Sequence, residues 1–291
     1  MTPQSLLLSF SLCTAFAALA IPQSASAALV ANYNFDSVAL GSTPPTTFPG
    51  VDPLPQSQLY AIGGFPDSGT VTGTVTVQNV GSLSHAAVMT TNQGGTGAQY
   101  LDTQFLVPAT YASISFDLNV IDVPASGLPQ VAGGAADGQA FAMQLFGLDS
   151  QRIFRFAVAP TGETTGNFDI RLPGPSGNLI PFATYTEGET YHLEFRNDFL
   201  TNLTDVYLNN SLVATSPLVA PATGISELFI FQNGVEGVRN SVALDNIVIS
   251  TDRPAPVPDG GSTLLLLGAG LLGISVCQIR KNAPTVPSQR S

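Results

Sequence analysis

Some groups of residues in this 291-residue chain have the types and spacing to do chemistry. Ala136-Asp137-Gly138-Gln139-Ala140-Phe141 follows the Gly-rich approach Gly133-Gly134-Ala135. Glycine lets backbone come close to a ligand, and the acceptor-only oxygens of an aspartate bridge two adjacent sugar hydroxyls. The plain reading of Asp137-Gly138 is a turn that feeds the next strand. Asn34, Asp36, Asp245 and Asn246 supply the oxygen donors that Ca²⁺ prefers, provided the first and last strands are neighbours. Asp36 and Asp245 are the candidate metal ligands, and calcium the one cofactor they point to. The alternative is that Asp245 accepts from loop amides at a strand end. Finally, Val257-Pro258-Asp259-Gly260-Gly261 precedes the apolar stretch Leu264 to Ile279 and the basic pair Arg280-Lys281.

Catalytic constellations are harder to find. His85 and His192 are the only histidines, and neither sits near a nucleophile in a recognisable setting. No catalytic residue is assigned, and the chain reads as a non-enzyme. Sequons at Asn202-Leu203-Thr204 and Asn209-Asn210-Ser211 add nothing.

The elements that must position these groups are strands. Ile114, Phe116, Leu118 and Val120 alternate with Ser115, Asp117 and Asn119, which places apolar and polar side chains on opposite faces. Similar runs are Leu29 to Phe35, Thr70 to Gln78, Phe141 to Phe146, Ile153 to Val158, Tyr191 to Phe195, Val206 to Val213, Leu228 to Phe231 and Val242 to Ile249. Asn209-Asn210 has the residue types of a tight hairpin turn, because asparagine tolerates positive φ. Gly41 to Pro66, rich in Pro, Gly and Thr, is expected to be one long surface loop. With 28 Gly and 22 Pro, and no convincing helical spacing, the chain is all-β: two stacked antiparallel sheets.

Charge narrows the partners. Charged residues make up 10% of the chain, with a net charge of −11 and a single lysine, Lys281. Between Ala28 and Asp252, 19 acidic residues face five arginines. Nucleic acid is excluded as a partner. Such a surface repels acidic polymers and attracts cations.

The two ends read as transport signals. An apolar run from Leu6 to Ile21 ends at Pro22, and Ala25-Ser26-Ala27 fits the small-x-small pattern of signal peptidase. At the other end the order of motif, apolar helix and basic pair resembles the PEP-CTERM class of sorting signals, in its Val-Pro-Asp-Gly-Gly variant. That resemblance implies processing by an exosortase at or near Val257 to Gly261, in a bacterium with an outer membrane that makes exopolysaccharide. The basic pair puts the C-terminus on the cytoplasmic side. Cys13 and Cys277 both fall in segments expected to be removed, so the mature protein has no disulfide, thiol nucleophile or thiolate zinc site.

The strand order carries a second resemblance. Val30 to Asp36, the hairpin Thr204 to Asn210 and Ala243 to Ile249 are similar to laminin-G-like members of the concanavalin A-like lectin/glucanase superfamily. Ala136 to Phe141 looks like the legume-lectin segment whose aspartate binds sugar, and that resemblance makes Asp137 and Gly138 the candidate ligand-binding residues. The resemblance implies a jelly-roll sandwich and, near the closing Asp-Asn pair, a structural calcium. The lectin calcium and manganese pair is not implied, because Arg152 to Phe156 offers no carboxylate. Glucanases of the superfamily use Glu-x-Asp-x-x-Glu, which is absent; Glu187, Glu189, Glu194 and Asp198 have the wrong spacing.

The expected layout is a signal peptide at 1–27, a β-sandwich at 28–252, and a spacer with the sorting motif at 253–262. A transmembrane helix with its basic stop follows at 263–281 and a cytoplasmic tail at 282–291. The expected protein is exported, transiently anchored in the inner membrane, and then surface-bound or secreted. Its expected partners are signal peptidase, an exosortase and extracellular polysaccharide. A glycoside hydrolase of the same fold, or a structural adhesion protein, is the alternative.

Overall fold

The computed structural model describes residues 29–44, 60–63, 73–91, 97–123, 140–173, 178–234 and 240–254. The expected signal peptide, sorting motif, membrane helix and tail lie outside them. Among the described residues no helix is long and apolar enough to cross a membrane. Two units divide at Asp252/Arg253, and every strand belongs to the first.

That unit is an antiparallel β-sandwich. Its first sheet runs in the order β13 (Ser211–Pro217), β12 (Leu203–Leu208), β11 (Thr190–Asp198), β6 (Tyr111–Asp122), β15 (Asn240–Ser250), β4 (Leu83–Thr91), β3 (Gly73–Val80), and β1 (Leu29–Tyr33) also pairs with β15. The second runs β10 (Leu179–Thr186), β9 (Thr165–Arg171), β8 (Arg152–Pro160), β7 (Phe141–Gly147), β14 (Gly224–Gly234), β5 (Gly97–Pro108), β2 (Tyr60–Gly63).

Alternation decides which faces meet. In β6, Ile114, Phe116, Leu118 and Val120 are buried while Ser115 and Asp117 keep partial exposure on the other face. In β11, Tyr191, Leu193, Phe195 and Asn197 turn inward, and His192, Glu194 and Arg196 outward. The Phe156 ring on β8 joins the sheets, with centroids 5.9 Å from Phe116 and 5.4 Å from Phe195 across the sandwich, and 5.6 Å from Phe168 beside it. Packing of rings at these distances adds about 0.5–1.5 kcal/mol per pair to the burial of their area. Two polar pairs in the interior are bonded: Tyr33 and Thr103 share a hydrogen bond between the sheets, and Asn197 accepts from Thr204 and donates to the carbonyl of Ala112.

Two expectations about turns meet different ends. Asn209 and Asn210 adopt φ of 49° and 66° between β12 and β13, the left-handed conformation of a tight hairpin. Gly41 to Pro66 is not one uninterrupted loop. Tyr60 to Gly63 form β2, a four-residue edge strand on β5 with Tyr60 opposite Asp102. So short a strand shows no period of its own, and its partner across the ladder determines it.

Candidate functional site

One face of the first sheet carries a row of polar residues. On three adjacent strands His192 lies opposite Asp117, and Asp117 opposite Asp245. The directions follow from β6, whose polar residues point away from the core. Asp117 Oδ1 is 2.7 Å from His192 Nδ1, and Oδ2 accepts from Asn246 Nδ2 at 2.8 Å. Because an ionised carboxylate only accepts, Nδ1 carries the proton.

Beside Asp245 the ladder breaks. The register shifts between Asp245 and Val248, and Asn246 takes φ of 50°. A bulge of this kind re-aims side chains: Ile247 returns to the core while the Asn246 amide reaches Asp117. The Asn246 N–H donates to Asp245 Oδ1 at 2.8 Å, and the Phe35 N–H also donates to this carboxyl. Asp245 is 4% exposed. Burial, followed by the charges of Asp36 and Asp117, pushes its carboxyl up to about 6 against the pull of those amides.

Asp36 completes the row from the chain just after β1. It is exposed and accepts from the Ser84 hydroxyl at 3.3 Å, while its own N–H donates to Asn34 Oδ1 at 2.8 Å. At the opposite end Asn209 Oδ1 accepts from the His192 N–H at 2.9 Å, and the Asn209 N–H donates to the His192 carbonyl. Between these side chains opens a pocket of about 360 Å³. Left-handed backbone at Asn209 and Asn246, and at His85 beside Ser84, concentrates conformational strain at its rim. Carboxylates, amides and hydroxyls around an open cavity can bridge the hydroxyls of a polyol or pair with a cation.

Asp36 and Asp245 therefore do come together, as the neighbouring first and last strands required. The alternative for Asp245 is also realised, because it accepts from the loop amides of Asn246 and Phe35. Among the described residues no three His, Cys, Asp or Glu side chains are grouped to hold a metal ion. Asp137 and Gly138 lie outside the described residues, as do Val257, Pro258, Asp259, Gly260 and Gly261. Asp117, His192 and Asn209 are the site residues that sequence reading missed. Asp117 was marked by its place on the polar face of the clearest strand; only register brings His192 beside it.

The outward face of the second sheet is closed by comparison. Arg155 is 1% exposed and lies 5.7 Å from the ring centroid of Phe231, which clusters with the fully buried Ala142 and Ala157.

No protein-family profile matches the chain, and no curated protein does. Solved structures do resemble it at low identity. A chain titled "Sialidase" aligns at 13% identity and TM-score 0.49, over 68% of this chain and 19% of that one. This chain thus corresponds to under a fifth of that protein's length. The Emp47p carbohydrate recognition domain aligns at 12% identity and TM-score 0.41, over 69% of this chain and 100% of that domain. An alginate lyase from Alteromonas sp.272 aligns at 13% identity and TM-score 0.35, over 59% and 90%. The reading of the chain as a non-enzyme does not stand. Similar structures include proteins titled as a sialidase and as an alginate lyase, so sandwiches of this kind are not exclusively non-enzymatic.

Proposed function

We propose that this is an exported surface protein of the concanavalin A-like type that binds extracellular polysaccharide, and that the pocket between His192 and Asp36 is where it does so. The observation that carries the reading is the pocket itself: an open cavity on a sheet face, rimmed by carboxylates, amides and hydroxyls held by hydrogen bonds. Sugars offer arrays of hydroxyls, and acceptor-only carboxylates beside amide donors match them. Lectin-like chains among the similar structures are consistent with this. The test is affinity electrophoresis of the full-length chain in detergent through gels that contain a panel of polysaccharides. Retardation by one polymer, lost in Asp117→Asn, is expected; free migration through every gel would remove the reading.

Delivery follows from the two ends. Export by signal peptidase processing rests on the apolar run Leu6 to Ile21 and Ala25-Ser26-Ala27, and transient anchoring with exosortase action at Val257 to Gly261 on the order of motif, apolar stretch and basic pair. Replacing Pro258-Asp259 with alanines is expected to leave the full-length form in the inner membrane, seen by fractionation and mass.

A glycan-cleaving reading is favoured by one observation. Asp117 and Asp245 face each other on adjacent strands in unlike environments, one bonded to His192, the other buried and shifted to about 6. Carboxyls so differentiated divide the roles of acid and base. Release of reducing ends from the polymer that is bound, lost in Asp245→Asn, would establish it.

A further inference from the structure

Given the pocket as a sugar site, its charge names the sugar. We infer that its ligand is a glycan bearing free amino groups, held as ammonium ions against Asp36, Asp117 and Asp245. The inference rests on the reading of the pocket proposed above and adds the ligand class to it.

Charge around the cavity is one-sided. Asp36, Asp117 and Asp245 line it, and among the described residues neither arginine nor lysine does. Among the described residues the one lining group able to carry positive charge, His192, is already bonded to Asp117. Farther along the same strand face Arg196 is engaged twice over, through two hydrogen bonds to Glu194 and by lying 4.0 Å from the Tyr207 ring centroid. Burial, and after it the charges of Asp36 and Asp117, hold the Asp245 carboxyl up, so each of the two repels Asp245 across the cavity. A uronate or sulfated polymer would add to that repulsion, whereas an ammonium group relieves it. The described residues do not form a metal-binding set. A volume of about 360 Å³ suits a sugar ring or two with its substituents. Ring hydroxyls would meet Asn209, Asn246, Ser84 and Thr190, which also line the space.

The test uses matched probes that differ in charge alone: glucosamine oligomers and the same oligomers N-acetylated. Binding to the full-length chain in detergent is measured by calorimetry at a pH where the amines are charged. At least tenfold tighter binding of the amine form is expected, weakening as salt is raised. Asp36→Asn is expected to lower that affinity severalfold, while Glu163→Gln, which removes one charge from an exposed loop, leaves it unchanged. Equal affinity for both oligomers would overturn the inference and leave the pocket a neutral-sugar site. Preference for an acidic polysaccharide would overturn it likewise. Equal weakening by Asp36→Asn and Glu163→Gln would show attraction to the acidic surface at large and overturn it too. Failure of both oligomers, with free migration through every polysaccharide gel, would end the proposed function together with the inference.

Discussion

Asp102 on β5 and Glu227 on β14 stand diagonally across the ladder on the outward face of the second sheet, where the charge of Asp102 acts on Glu227. Burial first, and then the Asp102 charge, pushes Glu227 up to about 7; Asp102 is raised as well, chiefly by burial. An acid whose folded value is raised stabilises the fold while protonated, and that stability is lost as pH rises through the folded value. Glu227 and Asp245, at about 7 and about 6, act in the same direction. The melting temperature is expected to rise as pH falls from about 8 to about 5, by about 2 kcal/mol of stability once solvent screening of Glu227 is allowed for. Glu227→Gln should flatten the profile. A melting temperature that climbs steadily toward pH 8 would contradict this account.

Asn246 has two duties that substitutions can separate. Its φ of 50° favours Asn or Gly, and its amide bonds Asp117. Asn246→Ala is expected to cost about 2 kcal/mol in urea unfolding, and Asn246→Gly about half of that. Polysaccharide binding should fall in both, because each loses the amide.

Gly166 on β9 is fixed by proximity rather than by φ. A Cβ there would lie 2.4 Å from the Ala159 carbonyl and 2.5 Å from the Tyr185 ring. Tyr185 is 2% exposed and cannot swing away. Gly166→Ala is expected to lose more than about 2 kcal/mol. An unchanged urea midpoint would show that the edge formed by β9 and β10 relaxes freely.

Phe156 is packed against rings of both sheets, so its removal leaves a cavity that neither sheet can close alone. Phe156→Ala is expected to cost about 3–5 kcal/mol, and Phe156→Leu about 1–2. Equilibrium unfolding of both variants checks the order.

Strands announced themselves either by alternation, as in β6 and β11, or by an apolar run, as in the almost wholly buried β7 and β8; β4 did neither. β6 and β11 alternate in sequence because one side meets the core and the other meets water. β4 reads Leu-Ser-His-Ala-Ala-Val-Met-Thr-Thr and is buried almost throughout, so it carries no period to find; His85 also interrupts it with φ of 59°. β9 and β10 depend on Gly166 and on a bulge at Pro181, where propensity points away from a strand and pairing overrides it. The site was half legible for a related reason. Asp36 and Asp245 follow from the closeness of the first and last strands, a matter of topology. Asp117 meets His192 through register, which no local pattern records.

The position of β15 has a consequence for how the molecule is made. It is the last of the described strands to leave the ribosome, yet it takes an inner place, with β6 on one side and β4 and β1 on the other. Until Asn240 to Ser250 have been synthesised, β6 and β4 each present a bare inner edge, the kind of template on which chains aggregate. Contacts of such long sequence separation form slowly. A product truncated before β15 therefore stays adhesive and open to proteolysis, and the fold itself distinguishes a finished chain from an unfinished one.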